Sequence, residues 1–469
     1  MKQHTKRRHR GVILTLKGLD KLQTALSTAE LNENAENRFT LEELGDRMKL
    51  ALHTVSKIMG RKEVVDRGSL QKAFSAFGLE LVKSDYRQPT EFEDLEVRSC
   101  NSQQRDWGEV PDVSIFYNRS TELLQLRQWM LEERCRLVAL LGIGGIGKST
   151  LAVKLGLQVQ SEFDVVVWRS LHSSPPIEDK LTNILQFLLR SARKEVLIPD
   201  NFDGKLSKLI ECLSLNRCLI ILDNAETILS SGGQTGLCRA GYEGYAQLIK
   251  TIAEVPHNSC VILTSTEKPR EIALLEGEAT KVKSLQVKGL HAESGRLLFE
   301  QKGQFTGTEQ QWQKLIEYYG GNPLALKMVA AATLELFNGR ISDVLECIEQ
   351  GAFMFDDIRS LLERQFNRLS AAEQEVMYWL AINREPISLT SLTSDIIETL
   401  KRRQLLQTIK SLLQRSLIEK SGEQFFLQPV VMEYIIQQLE ISDYVETQLI
   451  PSLPKNINLL LGNTYETVH

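Results

Sequence analysis

No run of apolar residues in this 469-residue chain approaches the ~18 that cross a bilayer, so a membrane-spanning helix is not expected. Near the N-terminus the apolar run Val12-Ile13-Leu14-Thr15-Leu16 is cut at Lys17, too soon for the core of a secretion signal. Cysteine is scarce and irregular. The seven residues, from Cys100 to Cys347, form an odd set without a C-x-x-C pair, which excludes a disulfide framework and offers no zinc-ligand spacing. That usage fits a reducing compartment, and a cytoplasmic location is expected. Neither sign of charge dominates: 56 basic side chains face 60 acidic ones, so the balance itself names no partner. There is also no internal repeat at the period of a propeller or a solenoid.

What is present is ordinary globular composition, 42% apolar and 25% charged, in a chain long enough for about three domains. Charge is uneven along it. Residues 1–88 hold 17 basic against 11 acidic side chains, with the excess in the tail Lys2, Lys6, Arg7, Arg8 and Arg10. Behind that tail a small helical domain is expected. Thr40 and Glu43 form a capping box, and Leu44, Met48, Leu50, Val55 and Ile58 suit two short helices joined by a tight turn. Gly45 is small enough for the crossing, and the pattern resembles a helix-turn-helix, with Lys49 where such turns usually carry glycine. Ser69 is the expected cap of a further helix bearing Leu70, Phe74 and Phe77. If residues 40–62 bind DNA, the second helix offers His53, Thr54, Ser56 and Lys57, with Arg61 and Lys62 for phosphates. A protein-binding adaptor is the alternative, since Glu42, Glu43 and Asp46 stand beside that helix. Residues 89–112, acidic around Glu91, Glu93, Asp94 and Glu96, read as a linker.

The strongest signal follows. Gly142-Ile143-Gly144-Gly145-Ile146-Gly147-Lys148-Ser149-Thr150 reads G-x-x-x-x-G-K-[ST], a phosphate-binding loop. A buried strand pattern, Leu137 to Leu141, precedes it. A helical pattern, Leu151, Ala152, Leu155, Gly156 and Val159, follows, which is the context the motif requires. Backbone N–H groups and the helix N-terminus would cradle phosphate oxygens. Lys148 would reach the β- and γ-phosphates, and Ser149 would ligate Mg²⁺. Further strands are expected at 165–168, 218–222, 260–264 and 283–287, separated by helical patterns, which predicts a doubly wound parallel α/β sheet over residues 113–289. Asp223, ending an apolar strand, suits the second magnesium position. Hydrolysis also needs a group that orients or deprotonates water. The residue after Asp223 is Asn224, which cannot accept a proton, and Glu226 is the nearest carboxylate, so turnover is expected to be slow.

Beyond the sheet, helices lead to Gly320-Gly321-Asn322-Pro323-Leu324-Ala325-Leu326, which by itself is a turn with proline at a helix start. With the phosphate loop and the strand ending in Asp223, this G-x-P-L-A loop makes the chain resemble the NB-ARC branch of the signal-transduction ATPases with numerous domains (STAND). The likeness covers about residues 113–440 and is most like cyanobacterial members. It implies a nucleotide, ADP or ATP, held between the α/β domain, a helical domain (290–355) and a winged helix (356–440), ahead of a tail at 441–469. The winged helix also fits the residues themselves. Ser370 to Glu373 is a capping box, and Ser421-Gly422 joins two short strand patterns as a wing would. The resemblance places Pro323 against the nucleotide and Arg119 near the adenosine, although the usual glycine before that arginine is Asn118 here. Two further departures stand out. The strand-exit arginine of many members is replaced by Thr264-Ser265-Thr266, and the Met-His-Asp motif by Leu427-Gln428-Pro429, leaving Gln428 to offer a hydrogen bond without charge.

The resemblance implies a nucleotide-dependent switch that self-associates in its ATP state and acts through another protein. Members commonly continue into repeat sensors. Here such a sensor is expected either in trans or in a longer product. An ATP-gated DNA-binding regulator is the second reading. A working ATPase or kinase ranks third, given Asn224 and the lack of any acceptor-substrate signature.

Overall fold

A computed structural model of the protein describes residues 11–33, 39–60, 64–87, 104–189, 197–233, 235–350, 356–396 and 402–444. The basic tail, Arg61, Lys62, Cys100 and most of the expected linker lie outside the described residues. The elements sort into two units, residues 1–103 and 104–469.

In the first unit the apolar run after the tail becomes a strand. β1 (Gly11–Leu14) pairs antiparallel with β2 (Val65–Asp66) and with β3 (Tyr86–Arg87). The segment expected to be helical throughout thus carries a three-stranded sheet, because Val12, Ile13 and Leu14 are all buried. Among the described residues four helices complete it: α1 (Leu16–Glu33), α2 (Leu41–Met48), α3 (Leu52–Gly60) and α4 (Arg67–Ser75). Thr40 and Glu43 make their capping box on α2. Lys49 takes the turn between α2 and α3 in the left-handed region, at φ 54°, so a lysine adopts the conformation that glycine usually supplies. At Gly45 a Cβ would stand 3.2 Å from the Leu50 carbonyl oxygen, which explains the small residue at the crossing. The cap of α4 is Asp66, whose carboxylate accepts from the Gly68 N–H at 2.8 Å, and not Ser69.

The second unit is built on a six-stranded parallel sheet. Its strands are β4 (Gln104–Asp106), β5 (Leu137–Leu141), β6 (Val165–Ser170), β7 (Cys218–Asp223), β8 (Cys260–Ser265) and β9 (Val282–Gln286), in the order β4-β6-β7-β8-β5-β9. β5 feeds side chains alternately to two cores. Val138 and Leu140 join one; Leu137, Ala139 and Leu141 join the other. Both faces are therefore covered, as continuous apolar strands demand. Helices α6 (Lys148–Val159), α7 (Ile177–Leu189), α8 (Phe202–Leu215) and α9 (Glu243–Glu254) supply those covers, α6 on the first and α7 to α9 on the second. This is the P-loop NTPase fold. The edge strand β4 falls inside the stretch read as linker. Its Gln-Arg-Asp sequence has no apolar alternation to betray it. Pairing with β6 and the Arg105 guanidinium, which donates to the carbonyls of Phe163 (3.2 Å) and Asp164 (3.3 Å), hold it in place.

After the sheet, α11 (Ala292–Glu300), α12 (Glu309–Tyr318), α13 (Pro323–Phe337) and α14 (Ile341–Glu349) form a helical module. Phe299, Phe305 and Trp312 meet edge to face in its core. Two short helices also flank the sheet, α5 (Ser120–Arg127) ahead of β5 and α10 (Arg270–Leu275) between β8 and β9. The C-terminal module contains α15 (Asp356–Phe366), α16 (Ala371–Asn383), β10 (Ile387–Ser388), α17 (Leu389–Ile396), α18 (Arg402–Gln414), β11 (Glu419–Ser421), β12 (Gln424–Phe426) and α19 (Pro429–Tyr444). Its strands pair antiparallel as β10-β12-β11, with Gly422 turning the hairpin at φ 60°. α19 runs past residue 440; residues 445–469 lie outside the described residues.

Candidate functional site

The site forms where β5, β7 and β8 end side by side. Because β8 lies between the other two, its Thr264 stands between the phosphate loop and Asp223. Asp223 Oδ1 accepts from Ser149 Oγ at 2.6 Å and from Thr264 Oγ1 at 2.5 Å. Thr264 Oγ1 in turn accepts from the Asn224 N–H at 3.0 Å. The P-loop fold implies nucleotide binding, commonly with Mg²⁺. A hydroxyl and a carboxylate in contact at the strand ends are the hard oxygen donors such an ion takes. Ser149 and Asp223 would hold it, and its charge would offset that of the phosphates.

The loop itself turns through Gly142, Gly145 and Gly147, all at positive φ. Gly145 is constrained twice over. At φ 79° it is left-handed, and a Cβ would meet Asn322 Oδ1 and Leu324 Cβ, each at 2.8 Å. The glycine requirement therefore comes from the helical module as well as from the left-handed turn of the loop. Lys148 is buried, and its ammonium donates to the carbonyls of Gly142 (2.8 Å) and Ile143 (3.1 Å). Burial pulls it down to about 8, while Glu226 and Asp223 oppose that shift. Gly142, Ile143 and Ile146 shape the loop from within; Ile143 and Ile146 belong to the sheet's core. Gly144, Gly145, Gly147, Lys148, Ser149 and Thr150 line a cavity of about 520 Å³ together with Asn224, Glu226 and Pro323.

At one end of that cavity lies a smaller slot of about 60 Å³ between Ile115, Phe116, Tyr117 and Arg119 and the helical module's Leu290, Leu298 and Pro323. Gly147 lies between Arg119 and Pro323, whose nearest atoms would be 3.8 and 3.9 Å from a Cβ there. Arg119 is 4% exposed and donates to the carbonyls of Ile146 (2.7 Å) and Lys288 (2.9 Å). The slot's apolar walls suit a base, and the buried Tyr117 hydroxyl has no hydrogen-bond partner among the described residues. Together the cradle and the slot fit a nucleotide.

Glu226 lines the opposite end, where its Oε2 accepts from the Thr266 N–H at 3.2 Å. Gln428 does not line this cavity. Its amide donates to Glu419 Oε1 at 2.6 Å, and its side chain lies against Gly320, so the structure takes it to the back of the G-N-P loop.

Several side chains that sequence reasoning passed over complete the site. Asn322 caps α13, accepting from the N–H groups of Leu324 and Ala325, and its amide donates to the Gly144 carbonyl at 2.8 Å. His172 and Lys327 line the cavity, beside Thr266 of the strand exit noted in the sequence. From the C-terminal module come Leu361, Arg364, Gln365 and Arg368. A Cβ on Gly144 would fall 2.5 Å from Gln365 Nε2 and 3.0 Å from Leu361 Cδ1, so α15 rests directly on the phosphate loop.

A family model described as the NB-ARC domain matches residues 119–227, from Arg119 in the slot to just past Asp223 at the end of β7. The chain carries an NB-ARC domain. Its sequence is 49% identical over 349 residues to an uncharacterised WD repeat-containing protein of Nostoc sp. (strain PCC 7120), covering 73% of this chain. The chain spans 28% of that relative's length. Among solved structures, a STAND protein with a tetratricopeptide repeat sensor from Pyrococcus horikoshii matches at 20% identity and a TM-score of 0.36, covering 76% of this chain and 46% of that one. A Walker-type ATPase of Pyrococcus abyssi matches at 15% identity and a TM-score of 0.46, covering 71% and 99%. Outside the NB-ARC match, Asn322 had a readable signal, an N-cap residue directly before a helix-starting proline. The arginines of α15 and the loop after it had none, since only tertiary folding brings them to the cavity.

Proposed function

We propose that this NB-ARC protein is a signalling switch whose bound nucleotide sets whether its modules stay closed on one another. In the ADP state the α/β domain, the helical module and the C-terminal module, read as a winged helix, stay docked. Exchange for ATP opens them and permits self-association. The observation that carries this reading is the double contact on the phosphate loop: Asn322 from one module on Gly144, and Leu361 and Gln365 from the other on the same glycine. A ligand seated in that loop touches both modules at once, and a ligand shifts a conformational equilibrium only through such differential contacts. The roles follow the site. Lys148 and the loop bind phosphates, Ser149 and Asp223 hold Mg²⁺, Arg119 and Pro323 flank the nucleoside, and Glu226 serves slow hydrolysis. Gln428 braces the G-N-P loop from behind. The relative's name records WD repeats, which we read as the type of element that delivers the signal, within one chain or from a partner in the cytoplasm. Sedimentation of the full chain with ADP and with a slowly hydrolysed ATP analogue tests the switch. A larger species only with the analogue is expected, and identical profiles would sink it.

A second reading, a DNA-binding regulator gated by ATP, draws on α2 and α3, where the tight turn at Lys49 leaves His53 and Ser56 exposed on the second helix. It predicts salt-dependent binding to duplex DNA that Lys57→Glu abolishes. Binding that ignores both salt and the substitution would remove it.

A further inference from the structure

The exit of β8 carries no cation before Lys268, yet a guanidinium lines the cavity wall beside it. It belongs to Arg368, 101 residues after Glu267 and just past α15. Its guanidinium donates to Glu267 Oε1 at 2.7 Å and to the carbonyls of Glu226 (3.2 Å), Leu229 (3.1 Å) and Ser230 (3.4 Å). These contacts put Arg368 at the end of the cavity remote from the base slot, beside Glu226, where the last phosphate of a nucleotide would lie. We propose that Arg368 is the residue that distinguishes a nucleoside triphosphate from a diphosphate, exchanging its contact with Glu267 for the terminal phosphate. This rests on the switch reading and names the side chain through which the switch is read.

The surroundings make such an exchange inexpensive. Glu267 is 4% exposed and would be costly to leave unpaired. It is not left so, because Arg415, itself 2% exposed, donates to the same Oε1 at 2.6 Å. Arg415 is further held by Glu373 at 2.9 Å and by the Gly232 carbonyl at 2.7 Å. Two guanidinium groups thus share one carboxylate oxygen, while Glu267 Oε2 has no partner among the described residues. Withdrawing Arg368 relieves the repulsion between them and keeps every buried charge paired. Arg368 is the more accessible of the pair, 27% exposed on the cavity side. Its departure also releases the carbonyls of Leu229 and Ser230, so reading the phosphate loosens the seam between α15 and the sheet domain. A planar, permanently charged fork suits both the carbonyl cluster and a phosphate.

The test measures Mg²⁺-ADP and Mg²⁺-AMPPNP affinities of the full chain by competition with a fluorescent nucleotide. Arg368→Gln is expected to weaken AMPPNP about tenfold or more, the scale of one charged hydrogen bond, with ADP changed much less. Glu267→Gln is expected to tighten AMPPNP without affecting ADP, because Arg368 is then less strongly held, while Arg415 keeps Glu373. In the double variant the effect of Glu267→Gln should vanish. If Arg368→Gln fails to fold by thermal melting, Arg368→Lys carries the test, since it keeps the charge but loses the fork, and intermediate discrimination is expected. Equal changes in both affinities, or a Glu267→Gln effect that survives in the double variant, would overturn the assignment alone. Failure of the wild-type chain to bind either nucleotide would overturn the switch reading with it.

Discussion

At the scale of single residues, Lys148 is held where its charge is expensive. Burial draws it to about 8, against the pull of Glu226 and Asp223. A phosphate arriving beside it favours the charged form and raises it again, so binding takes up a proton wherever the free lysine has lost one. Nucleotide affinity should therefore be flat below pH 8 and fall above it, approaching about tenfold per pH unit. Titrations between pH 7 and 9.5 check this. Lys148→Ala should abolish measurable binding, and any residual binding should lack the alkaline fall. Asn224 permits a second residue-scale experiment. It sits at φ 65°, a conformation that Asn and Asp both tolerate, so Asn224→Asp adds a carboxylate to the cavity without backbone strain. Phosphate release should rise about 10²-fold if a missing general base limits hydrolysis. No increase would place the limit elsewhere and separate Asn224 from the slow turnover expected of this site.

At the scale of elements, α13 is the joint between the helical module and the phosphate loop. Asn322 performs two tasks there, capping the helix with its Oδ1 and donating to the Gly144 carbonyl with its Nδ2. The two can be separated. Asn322→Ala removes both, and the cap alone is worth about 1 kcal/mol. Asn322→Ser keeps a capping oxygen but loses the donor to Gly144. Thermal melts should rank wild type above Ser above Ala, and the gap between wild type and Ser should widen when ADP is bound. A Ser variant as stable as wild type under both conditions would show that the Gly144 contact contributes nothing. Elements also mark where sequence could and could not be read. The strands β5 to β8 and the α6 start were legible because apolar runs and a fixed-spacing glycine motif are local signals. β4 was not: Gln104-Arg105-Asp106 becomes a strand only because β6 offers an open edge and Arg105 finds carbonyls at the end of α6. The same limit hid β1, whose apolar run was too short to choose between helix and strand.

At the scale of the whole second unit, the modules meet at the cavity through groups far apart in sequence, Asn322 with Gly144 and Arg368 with Glu267. Their sum sets what nucleotide alone can achieve. One charged hydrogen bond is worth about 1.5–3 kcal/mol, a shift of roughly 10–150-fold in an equilibrium. Moving a population from 1:99 to 99:1 requires ≈ 5.5 kcal/mol of differential binding. If the closed state dominates to that degree with ADP, a third phosphate acting through Arg368 would bring the chain to about half open at most. The remainder must come from a second input, such as the protein partner of a switch. Hydrogen exchange of the purified chain tests this. With AMPPNP, α15 and residues 226–232 should show two coexisting populations, one as protected as with ADP and one exchanging fast, while β5 and β7 stay protected in both. A single fully open population would mean that nucleotide suffices. A single closed population would mean that the triphosphate is not read through this seam.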